Sequence, residues 1–396
     1  MIQDAHHASH RGLIPESTPT PGRAPVDAII VPSARREAAL DEAGRLAGEL
    51  GCVLLVLCSK HSEARRVADS LARRPGLDFI AVDFPPARIA RLPPLETSTV
   101  LGESRLRRRT DTSAKRNLGL VLARLAGWKR VVFLDDDITV PDAIDLERAA
   151  ALLDTRDGVG LRIGGFPDNS VVCHANRETG APQDTFIGGG ALAVPADRID
   201  SFFPEIYNED WFFLLGKTML RPVGQVGVAM QTPYDPFATP DRARREEFGD
   251  VLAEGLFALL DDGRQIGDAD EAYWTTFLAA RLALIEVIKA RIEDGDGPIT
   301  GRDKQMLESL TAASGRLQFI KPRQCTEYIG AWHRDRDEWR RFIAGVRPIR
   351  RPPQGCSPIG VAVERFGLQA FSRKAPERRR SAPGPAMQRQ LSMAAG

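Results

Sequence analysis

Short, continuous apolar runs alternate with amphipathic stretches over the first third of the chain. Asp27-Ala28-Ile29-Ile30-Val31-Pro32-Ser33, Cys52 to Cys58, Phe79-Ile80-Ala81-Val82 and Val131-Val132-Phe133-Leu134 have the length and composition of buried strands. Between them, Arg35 to Leu50, His61 to Arg73 and Ser113 to Leu125 repeat apolar residues at helical spacing. Strands that are apolar on both faces and alternate with helices predict an α/β fold with a mostly parallel sheet. Ligands of such sheets gather at the carboxyl ends of the strands. After about Asp241 the period lengthens into helices over Arg242 to Leu260, Tyr273 to Ile292, Lys304 to Leu317 and Trp332 to Ile343, which predicts an all-helical C-terminal region. Residues 1–25 and 350–396 are rich in Pro, Ser, Arg and Gly and poor in apolar residues. Both ends, including Arg378-Arg379-Arg380, read as disordered.

The fourth apolar run ends abruptly in Asp135-Asp136-Asp137. Strand alternation sends Asp135 and Asp137 to one side. Three adjacent carboxylates repel one another unless a cation or positively charged groups hold them. A hard divalent cation such as Mg²⁺ fits, because it uses one or two carboxylates together with substrate phosphates. A solvated acidic turn after a core strand is the plainer alternative.

Other segments frame this one. Lys115-Arg116-Asn117-Leu118-Gly119 opens the helix that feeds the acidic strand. Phe186-Ile187-Gly188-Gly189-Gly190 leads into an apolar strand, and Asn208-Glu209-Asp210-Trp211-Phe212-Phe213 sets an acidic pair before aromatic residues. Each has a bland alternative: solvated cations at a helix start, a flexible turn, and acids favoured in any first helical turn. In order and spacing, the set resembles nucleotide-sugar-dependent glycosyltransferases of the GT-A fold, particularly family 2, over residues 26–236.

The resemblance implies a Rossmann-like GT-A domain over 26–236 and a helical region over 237–349. It implies that Asp135 and Asp137 hold Mg²⁺ or Mn²⁺, with Asp136 turned away or bonded to the ribose. Arg116 would lie near the phosphates, Asn117 would fix a loop, and Gly188, Gly189 and Gly190 would wall the sugar. Asp210, with Glu209 as its understudy, would take a proton from an acceptor hydroxyl. The nucleotide is less visible, since Cys58-Ser59-Lys60 stands where the family has acids; Ser33, Arg35 and Asp83 are candidates by position only. Where the family supplies a metal-binding histidine, this chain has Gln231, leaving His174 and His333 as conceivable ligands. The family's processive Gln-x-x-Arg-Trp motif and membrane helices do not appear, so a single sugar addition is expected.

Two rivals stand beside this. Phe133-Leu134-Asp135-Asp136-Asp137-Ile138-Thr139 also fits the haloacid dehalogenase-like phosphohydrolase pattern, with Asp135 as nucleophile, but that fold needs a later acidic pair at a strand end and Gly249-Asp250 falls in a helical pattern. A non-catalytic nucleotide-sugar-binding module is the other.

Composition adds exclusions. With 396 residues the chain can bury a large core, and a net charge of +1 makes no case for nucleic acid. Five cysteines without a CxxC pair suggest neither a disulfide framework nor a zinc site, so a cytoplasmic location is expected. No run approaches a membrane span, and no signal-peptide core is visible near Met1. The expected partners are a nucleotide-sugar donor and a hydroxyl acceptor.

Overall fold

The computed structural model describes residues 10–15, 21–84, 91–102, 106, 110–295, 297–368 and 372–374. Arg378-Arg379-Arg380 and the rest of the expected tail beyond 374 lie outside these residues.

Strands β1 (Ala28–Ser33), β2 (Val53–Cys58), β3 (Phe79–Asp83) and β4 (Arg130–Leu134) pair in parallel, in the spatial order β4-β1-β2-β3. They are connected through α1 (Asp41–Leu50), α2 (Ala64–Leu71), α3 (Glu96–Leu101) and α4 (Thr112–Ala126). Pro32 can lie in β1 because pairing with β4 ends at Ile30, two residues earlier. The helix expected from Arg35 begins at Asp41 instead, after a 3₁₀ turn over Glu37–Leu40.

The second half of the sheet departs from the expected parallel order. β5 (Ile138–Thr139), β6 (Gly158–Gly165), β7 (Ala191–Pro195), β8 (Val223–Gln231) and β9 (Ser372–Lys374) complete a nine-stranded sheet, β5-β8-β6-β7-β4-β1-β2-β3-β9. Four neighbouring pairs are antiparallel (β3 with β9, β4 with β7, β5 with β8, β6 with β7) and four parallel, so the sheet is mixed rather than mostly parallel. The apolar alternation spoke only for the first four strands. β7 enters beside β4 from the opposite direction, and through it the glycine loop reaches the acidic end of β4.

Alternating side chains divide the core between the two faces of the sheet. Ile29, Leu54 and Val132 face α1, α2 and α5 (Ile144–Leu152) through Leu46, Val67 and Leu146. Ile30, Leu55, Phe133 and Leu192 face α4 and the large helices: α8 (Pro240–Asp261), α9 (Glu271–Glu293), α10 (Gly301–Leu317) and α11 (Pro322–Gly345). These helices share one apolar core with the sheet rather than forming a separate core. Their ends are marked locally, by Pro240 and Pro322 in first turns and by the Thr300/Asp303 capping box.

Parts of the two ends read as disordered are packed. His10 is buried on α8, and a 3₁₀ turn follows over Arg11–Leu13. Beyond 350, α12 (Pro358–Arg365) is capped by the Ser357 hydroxyl and buries Ile359, Ala362 and Val363 in the core it shares with α4. Composition understates both segments, because a few apolar residues on one helical face, or one doubly paired histidine, are enough when the rest of the protein supplies the other wall.

Candidate active site

The site forms where the carboxyl end of β4 meets the loop into β7, α7 (Glu209–Leu214), the end of β8 and the start of α8. A cleft of about 230 Å³ is lined there by Asp135, Asp137, Arg116, Gly188, Gly189, Gly190, Glu209, Asp210 and Gln231, among others.

The first turn of α4 is buried because the helix crosses the middle of the sheet, and three consecutive polar side chains consequently need internal partners. Lys115 Nζ donates to the Ser33 carbonyl at 2.7 Å and to Ser59 Oγ at 2.6 Å. Arg116 donates from Nη2 to both oxygens of Asp135 at 2.9 Å and from Nη1 to Glu209 at 3.0 Å. Asn117 clamps Phe203, donating to its carbonyl and accepting from its N–H at 2.8 Å each.

Arg116 therefore joins the acidic strand end to the acidic pair of α7. It is 3% exposed, and the positive charge offsets part of what burial does to its partners. Desolvation, countered by Arg116 and reinforced by Asp137, raises the Asp135 carboxyl to about 6. Asp210 accepts from the backbone N–H groups of Gly189 and of Trp211, the latter at 3.0 Å. Burial and the neighbouring Glu209 nevertheless raise its pKa.

Gly189 explains the glycine run. A Cβ there would come within 2.6 Å of Arg116 Nη1 and 2.9 Å of its Cζ, so backbone packs directly on the guanidinium. The Asp135 N–H donates to the Gly190 carbonyl at 2.9 Å, extending the β4–β7 pairing past the strand end.

Asp136 points the other way. It accepts from Ser33 Oγ at 2.9 Å, from the Ala34 and Arg35 N–H groups at 3.1 and 3.2 Å, and from the Arg35 guanidinium. Arg35 also donates to Asp137 Oδ2 at 2.9 Å, where Gln231 Nε2 donates at 2.9 Å too. The repulsion expected among three carboxylates is thus countered in part by Arg116 and Arg35.

Five sequence candidates do not line the cleft: Ser33, Arg35, Asn117, Asp136 and Asp83. Asp83 accepts from the Ala64 N–H at 2.6 Å and so caps α2. Neither His174 nor His333 lines it. His174 stacks on Phe166, its ring nitrogen lies 3.0 Å from the Tyr234 hydroxyl, and burial and nearby arginines lower its pKa to about 3. His333 lies on α11 against Trp332.

The structure adds Asp168, Tyr207, Arg242, Glu246, Asp250, Glu254 and His10 to the cleft wall. Asp168 follows β6 and is open to the water of the cleft. Partial enclosure by the walls, then repulsion from Asp137, Asp210 and Asp135, raises its carboxyl above the usual carboxylate range. The glycines at 158, 160, 164 and 165 broke the apolar signal that would have marked β6 and the turn after it. His10 lies 2.8 Å from Glu254 and 2.5 Å from Asp261; despite desolvation, these carboxylates raise it to about 9.

Asp135 and Asp137 suit a hard divalent cation as two oxygen donors beside an open cleft; Asp137 Oδ1 accepts no hydrogen bond among the described residues. Elsewhere on the wall, Cys173, Asp250 and Glu254 bring potential ligand atoms within 4.8 Å of one another, but Arg281 holds Asp250 and His10 holds Glu254. Gly249-Asp250 lies inside α8, not at a strand end.

No protein-family model matches the chain, and no curated protein matches it. Among solved structures the chain is similar to the mannosyltransferase PcManGT from Pyrobaculum calidifontis in complex with GDP-Man and Mn²⁺, with 14% identity and a TM-score of 0.41 over 81% of this chain and 90% of that one. No helix among the described residues is long and apolar enough to cross a membrane.

Proposed function

We propose that the protein is a metal-dependent, GT-A-type glycosyltransferase that moves a sugar from a nucleotide-diphosphate sugar to an acceptor hydroxyl, by inverting single displacement and one sugar at a time. The observation that carries this reading is the meeting of Asp135 and Asp137 with Asp210 in one cleft, tied together by Arg116.

In this reading Asp135 and Asp137 would hold Mg²⁺ or Mn²⁺, and that cation would supply positive charge against the diphosphate leaving group. Asp210 accepts the proton of the attacking hydroxyl. Its raised pKa makes it a stronger base than an ordinary carboxylate, while the Gly189 and Trp211 N–H groups aim it. Arg116 aligns Asp135 and Glu209 from behind. Gly188, Gly189 and Gly190 provide a flat backbone wall for the sugar, and Arg35 reaches toward the phosphates. Ser33, Asn117 and Asp136 act indirectly, by holding the loops around the site, and Asp83 by capping α2. A cytoplasmic location belongs to the same proposal.

Thermal-shift screening of nucleotide-sugars with and without Mn²⁺, followed by product analysis with Asp210→Asn, tests it. Stabilisation that requires both Mn²⁺ and a nucleotide-sugar is expected. Asp210→Asn should lose about 10²–10⁴-fold in transfer with nucleotide affinity nearly intact. Phosphate release from simple phosphoesters would favour the phosphohydrolase, and nucleotide-sugar binding without turnover the module.

A further inference from the structure

Arg35 sits on the two carboxylates of the acidic triplet that Arg116 does not bond. Its guanidinium bridges Asp136 and Asp137, reaching Asp137 Oδ2 at 2.9 Å. That oxygen also accepts from Gln231 Nε2 at 2.9 Å, so both of its lone pairs are engaged. The two donors differ in freedom. Gln231 is 5% exposed and reaches the Thr232 carbonyl as well, at 3.3 Å. Arg35 lies beyond the end of β1, and its side chain is 55% exposed. Its backbone N–H donates separately to Asp136, so the loop keeps an anchor when the side chain leaves.

A divalent cation held by Asp135 and Asp137 would stand close to this guanidinium, and the like charges repel. Full use of Asp137 by the cation also requires the oxygen that Arg35 holds. A guanidinium released beside the cation finds its best partner in a phosphate, which its planar fork grips with two parallel hydrogen bonds.

We propose that Arg35 is an exchangeable counter-ion, a positioning residue that neutralises Asp137 until a divalent cation takes its place and then transfers its guanidinium to the nucleotide diphosphate. This rests on the transferase reading and deepens it. Its consequence is that cation and nucleotide bind cooperatively, because repulsion from the cation favours release of Arg35, and with diphosphate present the released side chain gains a partner.

The test is Mn²⁺ binding to the full chain, followed by electron paramagnetic resonance, with and without UDP or GDP. Loss of a partly exposed ion pair together with its like-charge repulsion should tighten Mn²⁺ binding in Arg35→Ala by about 5-fold when no nucleotide is present. The same variant should bind the diphosphate about 5-fold or more weakly at saturating Mn²⁺. Arg35→Lys, which keeps the charge and loses the fork, should leave Mn²⁺ affinity nearer the parent value and still weaken diphosphate binding. Unchanged or weaker Mn²⁺ binding in Arg35→Ala, with the parent still binding Mn²⁺ and nucleotide together, overturns the exchange role alone. Absence of Mn²⁺-dependent nucleotide binding in the parent overturns the transferase reading and this inference with it.

Discussion

Replacing Arg116 by Met removes a buried guanidinium while keeping most of its apolar length. It deletes hydrogen bonds to both oxygens of Asp135 at 2.9 Å and to Glu209 at 3.0 Å, leaving one carboxylate with a side chain 29% exposed and another 7% exposed. Breaking a buried ion pair from one side costs about 3–5 kcal/mol, because the remaining charge stays desolvated. The partial exposure of Asp135 places the expected loss near ~3 kcal/mol, measured by urea unfolding at pH 8. The loss should depend on pH. Asp135 already has its folded pKa raised to about 6 with Arg116 acting to lower it, so the variant's value lies higher. A carboxyl with a raised folded pKa contributes stability that is present at low pH and is lost as pH rises through that pKa. The difference between parent and variant should therefore be largest above about pH 7 and shrink towards pH 5.5. Adding Asp135→Asn to the variant removes the stranded charge and should recover ~1 kcal/mol or more, a coupling visible in a double-mutant cycle. A loss under ~1 kcal/mol, or one that is flat from pH 5.5 to 8.5, would refute the role given to Arg116.

Asp137→Ala should weaken Mn²⁺-dependent nucleotide binding about 10-fold or more in calorimetry while leaving the fold intact, since its charge partner Arg35 is largely exposed. Gly189→Ala should destabilise by about 1–3 kcal/mol and depress transfer, because the added methyl meets Arg116 at 2.6 Å; thermal unfolding and activity should fall together. His10, raised to about 9 between Glu254 and Asp261, contributes stability that is complete below its unfolded value of 6.5 and is lost as pH rises through 9. Between those values the parent should lose roughly 3 kcal/mol that His10→Ala does not, and equal pH slopes in chemical unfolding would disprove the ion pairs.

What the chain declares in one dimension is what depends on neighbours in sequence. The first four strands, the long C-terminal helices, the acidic end of β4 and the acidic start of α7 all follow from period, run length and local charge. The grouping of Asp135, Asp137, Arg116, Gly189 and Asp210 could be named as candidates, although their separation by up to 94 positions in the chain hid how they meet. Topology decided that. The antiparallel entry of β7 beside β4 brings the glycines onto Arg116, and the crossing of the sheet by α4 buries that arginine between two acidic elements. The same long-range packing set Asp83 at the start of α2, which it caps, and added Asp168 and His10 to the cleft wall. Strand direction and burial are collective properties of the folded chain, set by the whole apolar core, and no window of sequence around one residue contains them.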